Sequence, residues 1–391
     1  MNLWTDYKRS PLPDLLSFIV DNRGKTVPTT EDGEHKLIAT NCIRNENLYP
    51  SYEKIRYLSE KTYQTWFRAH PIPGDIIFVC KGTPGRTCMV PDPIDFCIAQ
   101  DMIAFRCDEK VIYNRYLLAI LRSREIQEQI TNTSVGDVIP HFKKQFLNQL
   151  MIPVPPLDIQ RKIGDVYFAF SLREEQNKKI NENLQEQARA IYHHMIIENA
   201  DAAWTPGVLS DIAVITMGQS PKGESYNEDG VGTVFFQGRA EFGFRFPTRR
   251  LYTTDPKRMA QANDALMSVR APVGDMNVAY EDCCIGRGLG AIRSKDGHQS
   301  FVLYTMFALR EQLNVFNGEG TVFGSINRDA LNSMPVDIPP KEIMDQFEDI
   351  VAPMDAAIRN NYDEICRLQA TRDGLLPMLM SGKLDVSDID L

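Results

Sequence analysis

The 391-residue sequence lacks several features that would place it in a class of protein directly. It has no run of about 18 apolar residues, which is the length that a membrane-spanning helix needs. The N-terminal stretch MNLWTDYKRSPLPDLL has no apolar core of the signal-peptide kind. The 8 cysteines include no CxxC pair and no zinc-ligand spacing. These absences predict a cytoplasmic protein with reduced thiols and no metal site.

Catalytic motifs are also missing. The stretch RGKT at 23–26 lacks the first glycine of a phosphate-binding loop, because Ile19 stands at that position. The stretch GRGLG at 286–290 lacks the spacing of a dinucleotide-binding fingerprint. No Asn-Pro-Pro-Tyr or Asp-Pro-Pro-Tyr methyl-transfer motif occurs. The sequence therefore predicts a non-catalytic chain that holds no cofactor of its own.

One short pattern leaves an enzymatic alternative open. Asp92, Asp108 and Lys110 supply two acids and a lysine, which is the set of groups used by metal-dependent nucleases. The second half of the chain has no comparable set. This alternative predicts DNA cleavage in the presence of Mg²⁺ without any partner protein.

The net charge of −9 argues at first against a polyanionic partner, but the acidity is unevenly distributed. Residues 335–391 hold 5 basic and 12 acidic residues, whereas residues 1–150 hold 19 basic and 18 acidic ones. The large segments are therefore close to neutral and can present a basic face to nucleic acid.

The most informative feature is an internal duplication. The phrase IPVPPLDIQRKI contains Pro155-Pro156, and MPVDIPPKEIM contains Pro339-Pro340, 184 residues further on. Upstream of each phrase, similar landmarks recur in the same order: GDIIFV and NDALMSV, GTPG and APVG, and FCIAQD and CCIGRG. The chain is thus a tandem repeat in which a globular stretch precedes a Pro-Pro phrase and a long polar tail.

Both tails are predicted to be long helices, because they are rich in Glu, Gln, Lys, Arg, Leu and Ile. Heptad spacing predicts that one column of side chains in each tail pairs the helices: Ile163, Phe170, Asn177, Leu184 and Ile191 in the first, and Phe347, Met354, Asn361, Leu368 and Leu375 in the second. In the second tail the neighbouring column, Met344, Val351, Ile358, Ile365 and Arg372, belongs to the same predicted seam. In the first tail the neighbouring column from Gln160 to Ala188 is less apolar and therefore a weaker candidate. Pro353 is expected to interrupt and bend the second helix. Packing of each helix on its own globular stretch remains the alternative.

Each globular stretch mixes short β-type runs with helical patterns, which indicates an α+β fold. Strands are predicted at 75–80, 101–107, 232–239 and 264–270, and helices at 114–132 and 301–313. Cationic loops lie between them, including QGRAEFGFRFPTRR at 237–250. Arginine can bind phosphate or guanine, and aromatic rings can stack on bases. The candidate DNA-binding residues are Arg23, Lys25, Lys81, Arg86, Lys143, Lys144, Lys222, Arg239, Arg245, Arg249, Arg250 and Arg270.

The duplicated I-P-x-P-P phrases, the long helices and the C-terminal stretch RDGLLPMLMSGKLDV at 372–386 resemble the specificity subunits of type I restriction–modification enzymes. The resemblance covers nearly the whole chain. It implies two target-recognition domains, at 1–152 and 204–336, separated by two long antiparallel coiled-coil helices, at 153–203 and 337–391.

The resemblance also implies partners. Each domain would read one half of a split site in double-stranded DNA, and the helices would set the spacing. Two methyltransferase subunits would dock on this framework and use S-adenosylmethionine, and restriction subunits would use ATP and Mg²⁺. The recognition subunit of a methyltransferase–nuclease fusion system (type IIG or IIB) is the related alternative. A structural coiled-coil adaptor that does not bind DNA is the more distant one.

Overall fold

The computed structural model describes residues 2–22, 24–134, 136, 140–201, 204–318, 324–381 and 383. The chain forms two compact units. Unit 1 comprises Met1–Lys179 and Asn361–Leu391, and unit 2 comprises Ile180–Asn360. Both unit boundaries fall inside the two long helices, whereas the predicted domain limits treat those helices as separate segments. The predicted limits stay a prediction.

Unit 1 is α+β, and its described residues form nine strands in three sheets. The strands are β1 (Arg9–Pro11), β2 (Leu16–Val20), β3 (His35–Ile38), β4 (Arg56–Leu58), β5 (Ile76–Val79), β6 (Thr87–Met89), β7 (Phe96–Ile98), β8 (Met102–Cys107) and β9 (Met151–Pro153). The sheet orders are β2-β8-β5-β6, β4-β3-β7 and β1-β9. The helices outside the long pair are α1 (Leu3–Asp6), α2 (Glu60–Trp66), α3 (Asn114–Leu121) and α4 (Arg124–Thr133).

Strand β5 shows why an unbroken apolar run appears in the sequence. All four of its residues are buried. Ile76 and Phe78 pack into one hydrophobic cluster, and Ile77 and Val79 pack into another. Successive side chains of a strand point to opposite faces, so a strand buried on both faces has no polar alternation.

Unit 2 repeats this plan, with eleven strands in the part that the structure describes. They are β10 (Thr205–Val208), β11 (Ala213–Met217), β12 (Tyr226–Asn227), β13 (Thr233–Phe236), β14 (Leu251–Thr253), β15 (Met259–Ala260), β16 (Ala265–Ser268), β17 (Met276–Val278), β18 (Cys283–Ile285), β19 (Leu289–Ser294) and β20 (Pro335–Ile338). The sheet orders are β11-β19-β16-β17, β12-β14-β13-β18-β15 and β10-β20. The helices are α6 (Leu209–Ile212), α7 (Gln299–Ala308), α8 (Arg310–Asn314) and α9 (Arg328–Asn332).

The structural repeat extends to side chains. Arg106 reaches Asp75 with two hydrogen bonds of 3.1 and 3.0 Å in unit 1. Arg293 reaches Asp264 with bonds of 2.7 and 2.8 Å in unit 2. Each acid directly precedes one of the two central strands of a four-stranded sheet, β5 in unit 1 and β16 in unit 2. The predicted strands are confirmed, but each of the two predicted helices is a pair of helices. The helix predicted at 114–132 breaks at Arg122 and Ser123, and the one predicted at 301–313 breaks at Leu309.

The long helices are α5 (Leu157–Tyr192), which continues as a π-helical turn (His193–Glu198), and α10 (Lys341–Met380). Helix α10 passes through Pro353 without a break, so the predicted interruption is wrong. Pro353 lies on the exposed side, where water can satisfy the backbone carbonyl that loses its partner. Within the described residues, no helix has the length and apolar character to span a membrane.

The two long helices run antiparallel inside each unit. In unit 1, Tyr167 lies against Arg372, and Arg173 lies 2.9 Å from Glu364 further back along α10. In unit 2, Asn181 donates to the carbonyl of Ile358 at 3.3 Å, and the ring of Tyr192 lies 5.6 Å from that of Phe347. In each unit the residue number of the α10 partner falls as the residue number along α5 rises, which is the pattern of antiparallel helices.

On α5 the most buried column is the weaker candidate, whereas on α10 it is one of the two columns that the heptad pattern predicts. On α5 every member of the weaker column is buried: Gln160, Tyr167, Glu174, Asn181 and Ala188. On α10 the buried column is Met344, Val351, Ile358, Ile365 and Arg372. In the columns that begin at Ile163 and Phe347, Ile163, Asn177 and Phe347 are buried and the other seven residues are partly exposed.

Candidate nucleic-acid interface

In unit 1, two of the candidate lysines line an open cleft. Lys25 and Lys81 face a cavity of about 600 Å³, together with Asp101 and His141. Lys144 lies at 3.2 Å from Asp21, which also lines the cleft. Lys143 is exposed and Arg86 is partly buried, while Arg23 lies outside the described residues. The structure thus brings together cations from three distant stretches of sequence.

The position of Lys81 follows from the tight loop after β5. Gly85 adopts a φ of +91°, and its N–H donates to the carbonyl of Val79 at 3.0 Å. A side chain at Gly85 would lie 3.0 Å from Gln127 and would strain this turn. Lys81 also forms an isolated antiparallel bridge with His141. The lysine is therefore exposed on a well-fixed backbone.

Unit 2 places Arg270 in the corresponding position. Arg270 is exposed just after β16 and forms an isolated antiparallel bridge with Ser325. Gly274 adopts a φ of +90°, and its N–H donates to the carbonyl of Ser268 at 3.0 Å. Lys81 and Arg270 are therefore equivalent cations in the two repeats, as the matched GTPG and APVG stretches predict. Lys222 is exposed elsewhere in this unit, 3.9 Å from Glu224.

The arginine-rich stretch of unit 2 is bound by acidic side chains. Arg239 pairs with Asp275, which also accepts from Arg310 at 2.9 Å. Arg249 lies 2.5 Å from Glu281. Arg249 and Arg239 remain half exposed, so phosphate can replace the carboxylates at little cost.

Arg250 belongs to the same exposed group. It lies 2.8 Å from the buried Glu241, and this hydrogen bond raises the pKa of the Arg250 guanidinium. An arginine guanidinium is charged at every physiological pH even without this shift. The acidic partners of these arginines were not predicted from the sequence. Asp275, which directly follows the glycine of the APVG stretch, offered a signal.

Arg245 is a correction to the predicted contacts. Its side chain is only 4% exposed, and it donates to Asp355 and, at 3.3 Å, to Gln185. A guanidinium enclosed in this way cannot reach DNA without breaking a buried ion pair. Charge and aromatic content could not separate this arginine from its exposed neighbours.

Two residues of the nuclease alternative share a local contact. Asp108 accepts a hydrogen bond from the backbone N–H of Lys110 at 3.1 Å, which is a local turn contact. Throughout the part of the chain that the structure describes, the single group of His, Cys, Asp or Glu side chains able to share a metal ion is Glu34, His35 and Glu60. Asp92 and Asp108 are not in it, and the nuclease alternative stays untested.

Comparison with known proteins assigns this architecture. A family described as "Type I restriction modification DNA specificity domain" matches residues 6–186 and 202–366, so the domain occurs twice. The chain belongs to this family and is a specificity subunit of the type I restriction–modification class.

Two relatives come from Methanocaldococcus jannaschii. The "Putative type I restriction enzyme MjaX specificity subunit" is 27% identical over 358 residues, which cover 85% of this chain and 84% of the relative. The "Type I restriction enzyme MjaIX specificity subunit" is 22% identical and covers 71% of each chain. The crystal structure of the type I S subunit from M. genitalium has the same fold, with a TM-score of 0.62, 15% identity and 96% of each chain covered.

Proposed function

We propose that each unit reads one half of a split site in double-stranded DNA, and that α5 and α10 act as a coiled-coil spacer that fixes the distance between the halves. Two methyltransferase subunits dock on this framework and supply S-adenosylmethionine-dependent methylation. Restriction subunits add the steps that need ATP and Mg²⁺. The chain itself is non-catalytic and works in the cytoplasm.

The observation that carries the proposal is the pair of equivalent exposed cations. Lys81 and Arg270 follow equivalent buried strands and are fixed by equivalent turns and bridges. A DNA reader needs cations held at defined positions, because phosphate contacts orient the protein before base contacts select a sequence. Two such readers in one chain match a DNA site in two halves.

The near-neutral charge of the units is compatible with this role. Exposed arginine–carboxylate pairs contribute about 0–1 kcal/mol, so the arginines of 239–250 can exchange their carboxylates for phosphates. Further neutralisation of phosphate would come from the partner subunits. The spacer role is supported by the antiparallel contacts of α5 and α10 within each unit.

An exchange of one recognition unit tests the proposal. Residues 204–334 are replaced by the matching segment of another family member, and the chain is assembled with its methyltransferase subunits. Methylated positions in DNA are then mapped. We expect one half of the motif to change and the other half and the spacing to persist. A change in both halves, or in neither, would contradict independent reading.

Point variants of the equivalent cations provide a finer test. Lys81→Ala and Arg270→Ala should each reduce methylation of the native site, with an expected loss of about 1–3 kcal/mol in binding where a base contact is removed. Lys257→Ala is the matched control, since Lys257 is an exposed cation of unit 2 that lies 2.8 Å from Asp255 and is not a candidate DNA-binding residue. Equal methylation by all three variants would count against this surface.

A further inference from the structure

Residues 237–250, here called the recognition loop, have a buried centre between exposed ends. Phe244 is 50% exposed, and Arg249 and Arg250 are exposed. Arg245 and Phe246, between them, are each only 4% exposed. The loop is therefore held at its middle while its ends stay accessible.

Helix α10 supplies the groups that hold this centre. Asp355 accepts from Arg245 and, at 3.1 Å, from the hydroxyl of Tyr304. The guanidinium of Arg245 also lies 5.7 Å from the centre of the Tyr304 ring. A buried charge is costly unless it is paired and hydrogen-bonded, so Asp355 is the group that allows Arg245 to sit inside unit 2.

Arg359, one turn further along α10, fixes the wall behind the loop. It donates to Asn263 at 2.9 Å and to the carbonyl of Tyr280 at 2.6 Å. Its guanidinium stacks 4.3 Å from the Tyr280 ring, and that ring packs edge-on against Phe246 at 5.5 Å. Two residues of the long helix thus set both the depth and the direction of the recognition loop.

We propose that Asp355 and Arg359 are positioning residues for DNA recognition by unit 2, so that the spacer helix contributes to the sequence read as well as to the spacing. This inference rests on the proposed function. Neither side chain needs to touch DNA. Each acts by holding the recognition loop in the one conformation that presents its exposed arginines.

The comparison with unit 1 supports a role beyond packing. The carbonyl of Arg245 accepts from Val278 N–H at 2.9 Å, and the carbonyl of Leu48 accepts from Met89 N–H at 2.9 Å at the matching point of unit 1. A buried leucine therefore suffices to fill this place. Unit 2 uses a charged pair instead, which adds a directional constraint that an apolar contact lacks.

The test uses Asp355→Asn in the complex with its methyltransferase subunits. The variant keeps the side-chain shape and removes the charge that pairs with Arg245. Methylation is measured on oligonucleotides altered in one half-site at a time. Misplacement of a binding group by about 1 Å can cost on the order of a hundredfold, so we expect KM for DNA to rise at least about tenfold. The kcat at saturating DNA, which the partner subunits set, should hold.

Discrimination between native and altered bases should weaken only in the half-site that the replacement of residues 204–334 assigns to unit 2. Amide hydrogen exchange should rise in the recognition loop. Arg359→Met serves as a second variant, because it removes two hydrogen bonds without leaving a buried charge, and it should give the same pattern. Glu364→Gln is the matched control, since Glu364 lies on the same helix in a half-exposed pair with Arg173.

Three results would overturn the inference. They are unchanged amide hydrogen exchange in the recognition loop, unchanged KM and DNA motif despite faster hydrogen exchange, and equal loss of discrimination in both half-sites. If replacement of residues 204–334 changes one half-site of the motif but Asp355→Asn and Arg359→Met leave recognition of that half-site intact, the inference fails and the proposed function stands. If that replacement leaves the motif unaltered, the proposed function fails and the inference falls with it.

Discussion

Units 1 and 2 share a backbone plan but differ in the chemistry that joins it to the long helices. In unit 1, Lys178 of α5 donates to the carbonyl of Glu46 and to the side chain of Asn47, each at 3.1 Å, so the helix provides the cation. In unit 2, Asp355 of α10 accepts from Arg245, so the helix provides the anion. The loop after β3 in unit 1 and the loop after β13 in unit 2 are each anchored to a long helix. The charge that the helix supplies has the opposite sign in the two units.

The starts of helices α3 and α7 show the same divergence. Gly164 of α5 allows close approach to α3, because a side chain there would lie 2.5 Å from the backbone nitrogen of Tyr116. Glu348 of α10 instead accepts from the N–H groups of Ser300 and Phe301 at the start of α7. Backbone architecture thus persists through the duplication, while the side chains at each junction have specialised. The predictions below use these differences, from the largest expected effect to the smallest.

The largest effect is expected at the buried ion pair that distinguishes the helix contact of unit 1. Glu174, 2% exposed, lies 2.9 Å from Arg372 and 2.7 Å from Lys178. Glu174→Leu leaves Arg372 buried without this partner and should lower the free energy of unfolding by about 3–5 kcal/mol. Urea denaturation followed by amide exchange in unit 1 measures this loss.

The control for Glu174 is Glu364→Gln, which breaks a pair that is partly exposed and should cost at most about 1 kcal/mol. A loss below that value for Glu174→Leu would show that the buried pair contributes no more than a surface pair. The difference between the polar helix contacts of unit 1 and unit 2 would then make no contribution to the free energy of unfolding.

The second effect separates the two columns of α10. Ile358 is fully buried in unit 2, whereas Leu368, in the other predicted column, is partly exposed. Ile358→Ala should cost about 2–5 kcal/mol, and Leu368→Ala clearly less, because less surface leaves water at Leu368 on folding. Thermal and urea unfolding of both variants tests the ranking, and a larger loss at Leu368 would reverse the assignment of columns.

The third effect concerns the glycine that is specific to unit 1. Gly164→Ala should destabilise by about 1–3 kcal/mol, since the added methyl group would meet the backbone of α3. Gly374→Ala on α10 is the matched control, because no atom lies within 4 Å of its added methyl group. That variant should stabilise by about 0.5–1 kcal/mol through helix propensity. Melting temperatures of the two variants should therefore move in opposite directions.

The smallest effect is a pH response confined to unit 2. Burial alone would lower the pKa of His298, but its contacts with Asp345 at 2.7 Å and Asp296 at 2.9 Å outweigh burial and raise it above 6.5. A raised folded pKa stabilises below about pH 6.5, and that stability is lost as pH rises through the folded pKa. Lys341, 2.7 Å from Asp345, retains its charge across this range.

The matching residue of unit 1 is Tyr113, which donates to Asp165 at 2.8 Å and has a pKa raised by burial. Tyr113 therefore does not titrate near neutrality. Between pH 6 and 8, protection of α7 against amide hydrogen exchange should fall by the equivalent of about 1 kcal/mol or less. Protection of α3 should stay constant once both are corrected for the pH dependence of intrinsic exchange. His298→Gln should remove the difference, and an equal response of α3 and α7 would contradict it.

The sequence by itself determined the duplication, the α+β class, the central strands and the two long helices. These features follow from local patterns: the Pro-Pro phrases recur with a constant offset, and runs such as IIFV at 76–79 are apolar throughout because both faces of the strand are buried. The equivalence of Lys81 and Arg270 was also accessible, since the turns beside them match.

Only the tertiary structure decided which helix columns and which arginine are buried. The heptad pattern ranks columns by apolar content, so it undervalued Glu174 and Asn181, which are buried beside Arg372 and a backbone carbonyl from α10. Arg245 lies inside unit 2 because Asp355, 110 residues later, neutralises it. A polar side chain is buried when a distant partner satisfies it, and that partner is fixed by the fold rather than by neighbouring residues.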